Sequence, residues 1–322
     1  MLKTRLTELL GIEHPVILAP MGSATSAAFA AAAANAGALG SIGSLGRPTA
    51  DILRDLRMVR DLTTRPINVN HIPPTLDEEA FKATLALRPE VISFALGDPG
   101  DLVRRAKDAG AAVYVQVTTV AQAVQAAERG ADFVIAQGTE AGGYGGTVGT
   151  FALVAQVVEA VRPLPVVAAG GIYDGRGLAA ALMLGAVGVN VGTRFLASTE
   201  APIEEGWRRA ILDASAEDAI KVEALNAINP APGTTGYGTV LRAVRSPFIE
   251  EWNAKLEQAA RERDRLRAEL IASTREGRRH ETIPGGGQSA GGISEVLPVA
   301  EIIRRLVAEA EEALRRAPSL VS

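Results

Sequence analysis

The chain of 322 residues contains no cysteine, which excludes disulfides, thiolate metal sites and a cysteine nucleophile. Histidine is nearly as scarce, at three residues. None stands in a His/Asp/Glu cluster suited to a metal, and none pairs with a serine placed for acyl transfer. No apolar run is long enough to cross a bilayer; the run at 27–36 reads as a small-residue helix packed on a sheet. The opening Met1-Leu2-Lys3-Thr4-Arg5 lacks the apolar core of a signal peptide, so a cytoplasmic protein is expected. A net charge of −4 gives no footprint for nucleic acid or an anionic membrane. With 47% hydrophobic residues, the chain can bury a sizeable core, in one large α/β domain or two smaller ones.

Between residues 15 and 196, short apolar runs alternate with amphipathic stretches. Strands are expected at 16–19, 39–42, 67–70, 91–94, 112–117, 133–136, 166–169 and 187–191. Near-continuous apolar strands separated by helices indicate a parallel sheet covered on both faces. Eight such units fit a (β/α)8 TIM barrel, whose active site lies at the C-terminal strand ends. The competitor, a doubly wound sheet, would carry a dinucleotide fingerprint after its first strand, and Ala19-Pro20-Met21-Gly22-Ser23 is not one. Residues 1–202 with 284–322 are expected to form the barrel. Residues 203–283 are expected to form an appended helical unit covering the substrate. Its charged stretch from Pro247 to about Arg275 is either a lid helix or a solvated face, and it could pair two copies as a homodimer.

Glycine marks the candidate site. Five glycines fall within 138–146, directly after the apolar run Phe133-Val134-Ile135. A bare backbone there either makes a mobile loop or lets a ligand approach its N–H groups. Ala169-Gly170-Gly171-Ile172 follows the seventh expected strand and Gly192-Thr193-Arg194-Phe195 the eighth. In barrels, loops at these two places often hold a phosphate. The strand ends otherwise carry small and amide residues with few charges, which suits a planar, hydrogen-bonding cofactor better than a metal. One phosphate and a flat ring system suggest FMN.

Ala19-Pro20-Met21-Gly22, Asn70, Gln137 to Gly143, Ala169 to Ile172, Gly192 to Phe195 and Gly287-Gln288-Ser289-Ala290-Gly291 together resemble the nitronate monooxygenases, once called 2-nitropropane dioxygenases. The resemblance spans essentially the whole chain and extends to bacterial NADH:quinone reductases and flavin-dependent enoyl reductases. It implies an FMN enzyme in which Ala19, Pro20, Met21 and Gly22 line the flavin ring through backbone groups. It further implies side-chain contacts from Asn70, Gln116 and Gln137, and close approach of Gly142 and Gly143. The amides of Gly170, Gly171, Gly192 and Thr193 would hold the phosphate, and Gln288 would close over the ring. Gln116 stands where some relatives carry lysine.

The family loop usually continues Ala-Gly-Gly-His, its histidine serving as the base toward neutral nitroalkanes; here that position is Tyr144. A phenol with a reference pKa near 10 is protonated at neutral pH, so it is no efficient base there. It either donates a hydrogen bond to a nitro, nitronate or carbonyl oxygen or packs over the pocket. His71 directly follows Asn70 at a strand end and could face the substrate; His14 and His280 are placed away from it. The segments 44–47, 71–74 and 229–237 would shape the substrate pocket. The function this implies is oxidation of alkyl nitronates with O2 to a carbonyl compound and nitrite. The alternatives are an NAD(P)H-dependent reductase of a quinone or activated C=C bond, and a flavin-binding protein without turnover.

Overall fold

A computed structural model of the chain describes residues 2–229 and 239–320. The described residues form eleven strands: β1 Val16–Leu18, β2 Gly40–Gly43, β3 Ile67–His71, β4 Val91–Phe94, β5 Ala112–Val117, β6 Phe133–Gln137, β7 Gly143–Gly145, β8 Val166–Ala169, β9 Val189–Val191, β10 Ala219–Lys221 and β11 Val240–Val244. Eight of them run parallel in the order β1-β9-β8-β6-β5-β4-β3-β2. Leu39 N donates to Val16 O and Leu18 N to Leu39 O, which joins β2 to β1 and closes the ring. This is the expected (β/α)8 barrel. Its strands are buried almost throughout, because side chains on one face fill the interior and those on the other meet the helices.

The interior is apolar at one end and polar toward the other. Ile17, Leu39, Val91, Phe133 and Val167 pack with Leu6 and Leu10 of the first helix, Arg5–Leu10, which plugs the N-terminal end. Above them Asn68 donates to Ser41 Oγ (3.1 Å) and to the Tyr114 hydroxyl (3.0 Å). Only the C-terminal mouth is left open. The last long helix, Val299–Arg316, buries Ile302, Ile303, Leu306, Val307 and Ala310 at helical spacing. It lies on the helix Gly175–Met183, and a fully buried side chain such as Leu306 stabilises by about 1.5–3 kcal/mol.

The segment 203–283 departs from a purely helical unit. It contains helices at Glu205–Asp213, Glu223–Ile228, Pro247–Asn253, Leu256–Arg261 and Arg263–Arg275, so the single charged helix expected is three. It also contains β10 and β11. β11 pairs antiparallel with β7, Tyr144 standing opposite Leu241, and β10 pairs with β11. The glycine loop after β6 thus supplies one strand of a small sheet whose other two strands come from the appended unit. Among the described residues, no helix is long and apolar enough to cross a membrane, and no group of three or more His, Asp or Glu is placed to hold a metal.

Candidate active site

The strand ends of the barrel converge on one cavity of about 310 Å³, roofed by the appended unit. The loop after β1 contributes Ala19, Pro20, Met21 and Gly22; β3, β5 and β6 contribute Asn70, Gln116 and Gln137. Gly142, Gly143 and Tyr144 enter from the glycine loop, Gly170 and Gly171 from the end of β8, Gly192 and Thr193 from the end of β9. Every expected cofactor contact except Gln288 therefore lines the same space. Gln288 is half-buried outside the lining; the neighbouring Gly285, Gly286 and Ser289 form that wall instead. Of the expected pocket-shaping segments, Leu45 and Ile72 contribute, and 230–237 lie outside the described residues.

His71 is a correction. Strand residues alternate between faces, and Asn68 and Asn70 already point into the barrel. His71 consequently points out, is 1% exposed and packs edge-on against Phe81. Its Nε2 lies 2.9 Å from Thr84 Oγ1. The Thr84 hydroxyl donates to Ala80 O, so it accepts from the imidazole, and Nε2 carries the proton. Burial lowers the pKa of this ring to about 4. This neutral imidazole lies behind the barrel wall and does not line the cavity.

Close backbone contact explains the glycines of the roof. A Cβ on Gly142 would come within 2.8 Å of Gly286 C and Gly287 N, and one on Gly287 within 2.6 Å of Glu140 O and Gly142 N. The two loops lie backbone against backbone, and Gln288 N donates to Glu140 O at 2.9 Å. Gly287 N donates to Thr193 Oγ1 at 2.9 Å, which ties the late segment to the β9 loop as well. Glu140 in turn accepts from Thr150 N and Thr150 Oγ1 at 2.8 Å each, fixing the glycine loop to the start of the helix Thr150–Ala160. Lys221 Nζ donates to Gly145 O (3.2 Å), Gly146 O (3.3 Å) and Val240 O (3.1 Å), and Arg242 Nε to Thr139 O (2.8 Å). The loop that the sequence leaves as either a mobile segment or a backbone open to a ligand is held on several sides.

Three features fit a flat, phosphate-bearing ligand. The N–H groups of Gly170, Gly171 and Gly192 make no hydrogen bond with any described residue, and all three residues line the cavity. Gln116 Nε2 donates to Gln137 Oε1 (2.7 Å) and Asn70 Nδ2 to Ser93 Oγ (3.1 Å), leaving each amide pair oriented at the wall. Asn190, 6% exposed, also lines the cavity, and its Oδ1 is buried without a partner. Such an orphaned amide is costly unless something else binds it. Sequence reading passed over Asn190; the available signal was a lone amide inside the apolar run 187–191.

Tyr144 lines the cavity half-buried, packed with Val222, Leu225 and Ile249. Burial pushes its phenol up to about 12. Its hydroxyl makes no hydrogen bond with any described residue, so it is a protonated donor free to meet a ligand.

A family model described as nitronate monooxygenase matches residues 3–86 and 77–309. The chain is 34% identical to the (3aS,4S,5R,7aS)-5-hydroxy-7a-methyl-1-oxo-octahydro-1H-indene-4-carboxyl-CoA dehydrogenase of Mycobacterium tuberculosis, over 81% of this chain and 70% of that one. It is 33% identical to a nitronate monooxygenase of Paraburkholderia phytofirmans, over 66% of this chain and 72% of that one. The solved structure of FabK from Thermotoga maritima superposes over 100% of both chains, with a TM-score of 0.89 and 34% identity.

Proposed function

Because the chain belongs to the nitronate monooxygenase family and is on that ground an oxidoreductase, we propose that it holds FMN in the strand-end cavity and oxidises alkyl nitronates with O2 to a carbonyl compound and nitrite. The observation that carries this reading is the unpaired, protonated Tyr144 hydroxyl beside the unengaged glycine amides. Bound FMN would supply the acceptor for the nitronate's electrons and the donor to O2. The remaining work falls to the protein. The Gly170, Gly171 and Gly192 N–H groups hold the phosphate. Asn70, Gln116 and Asn190 hydrogen-bond the polar edges of the ring, with Asn190 gaining the partner it lacks. Tyr144 donates its O–H to a nitronate oxygen and holds its own proton throughout. A nitronate arrives already deprotonated, so no base is required, and among the described residues none lines the cavity. Leu241 and Ile283 keep the mouth apolar on the side of Tyr144.

A second reading has its own support in the relatives named a CoA dehydrogenase and FabK: flavin reduction by NADH or NADPH, followed by reduction of a quinone or an activated C=C bond. One anaerobic experiment separates the two. The purified flavoprotein is mixed with propyl nitronate, and separately with NADH and NADPH, and its visible absorbance followed. Bleaching by the nitronate alone supports the monooxygenase; bleaching by a pyridine nucleotide alone moves the protein to the reductases. A flavin that neither reduces would leave a binding protein without turnover.

A further inference from the structure

The cavity lining is almost wholly neutral: Arg279 is the single formally charged side chain on it among the described residues. It comes from the turn Arg279–Glu281 of the appended unit and reaches across to the barrel. There its Nη2 donates to Ser23 Oγ (2.9 Å), while Nε donates to Thr274 Oγ1 (3.3 Å). Its guanidinium lies over the Trp207 ring, 5.2 Å from the centroid. The Trp207 Nε1–H donates to Gly285 O at 2.8 Å, so the platform itself is fixed. Two of the five guanidinium N–H donors are thus used, and no carboxylate among the described residues pairs with it. The nearest acid acting on it, Glu204, accepts from the Arg279 backbone N–H instead (2.9 Å). A planar cation, oriented by an aromatic face and with no carboxylate hydrogen-bonded to its guanidinium, suits bidentate recognition of an oxyanion.

We propose that Arg279 forms an oxyanion subsite at the cavity mouth, one that selects ligands carrying a carboxylate or phosphate away from the reacting group. This rests on the reading that the cavity is where substrate binds. An oxyanion seated there would engage the free N–H donors and extend inward along Met21 and Leu196, with its reacting end toward Tyr144. A substrate tail and a cosubstrate phosphate share this chemistry. The cofactor's own phosphate is assigned instead to the glycine amides of β8 and β9.

The test uses the flavin-loaded protein and its Arg279→Gln and Arg279→Lys variants. Calorimetry compares hexanoate, hexyl phosphate and hexan-1-ol, three probes of one chain length. One of the two anions should bind the unaltered protein about tenfold or more tightly than the alcohol, as a charge-assisted contact implies. Arg279→Gln should bring all three within about twofold, and Arg279→Lys should keep part of the preference, since a point charge lacks the planar fork. Preference for hexyl phosphate alone would indicate a phosphate-bearing partner such as NADPH; preference for hexanoate would indicate a carboxylate tail. Equal binding of all three probes to the unaltered protein overturns the proposal, as does a preference that survives in Arg279→Gln. Loss of flavin from Arg279→Gln also overturns it, since the guanidinium would then serve the cofactor. The measurement needs no turnover, so failure of the nitronate chemistry shows separately as an unbleached flavin.

Discussion

Replacing Tyr144 tests whether a single proton sets the choice between nitronates and neutral nitroalkanes. Burial raises its phenol to about 12, so at pH 7 only about one molecule in 10⁵ carries a phenolate. An imidazole of ordinary pKa would be about three-quarters unprotonated at that pH. The unaltered enzyme should therefore consume O2 with propyl nitronate and hardly at all with 1-nitropropane, in matched assays at pH 7. Tyr144→Phe keeps the packing against Val222 and Ile249 but removes the donor. Its kcat/KM on the nitronate should fall about tenfold, the worth of one hydrogen bond near 1.4 kcal/mol. Tyr144→His should gain activity on 1-nitropropane, by about 10²-fold or more over Tyr144→Phe, the lower end of what a positioned base supplies. Comparable rates on both substrates in the unaltered enzyme would refute the reasoning, and so would equal nitroalkane rates in the two variants.

Three further outcomes follow from the geometry. Asn190→Leu removes the buried amide whose oxygen has no protein partner; it should weaken flavin retention at least about tenfold without lowering the melting temperature of the flavin-free protein, as fluorescence titration and thermal melts would show. Gly142→Ala forces a Cβ against the backbone of Gly286 and Gly287; the overpacking should cost about 1–3 kcal/mol, read as a lower midpoint in urea together with a reduced flavin-to-protein ratio. His71→Leu concerns acid stability. The folded pKa of about 4 lies below the ordinary 6.5, so the unfolded chain takes up the proton first. The associated stability is present above pH 6.5 and lost as pH falls through about 4, by up to about 3 kcal/mol. Urea unfolding should show a flatter decline across that window in the variant, with kcat unchanged; a fall in kcat would return His71 to the active site.

The barrel was legible because its strands are buried on both faces, which writes them as uninterrupted apolar runs. The glycine signals after β6, β8 and β9 were legible for a related reason: the fold fixes which end of each strand opens to ligand. The small antiparallel sheet was not. Gly143-Tyr144-Gly145 has a single side chain to mark it as a strand, and β7 forms only by pairing with Val240–Val244, about a hundred residues later. His71 was misjudged by one position, although alternation with Asn70 argued that it faces the helices. Gln288 lies off the cavity lining: it sits in the short turn Gln288–Gly292, where the direction of a side chain depends on packing against distant elements. Arg279 had no sequence signal apart from the basic run around it, because its meaning lies in what it does not pair with.

The clasp of Gly142 against Gly286 and Gly287 also has a consequence for how the molecule is made. Synthesis proceeds from the N-terminus, and every barrel strand has been synthesised by residue 191, almost a hundred residues before Gly285–Ser289 complete the wall. A chain ending in that interval lacks Gly285, Gly286 and Ser289, which form one wall of the cavity. The site becomes a closed container only when the late loop docks. On the reading that the cavity holds a flavin, a ribosome-stalled chain ending before Gly285 is expected to release any flavin it meets.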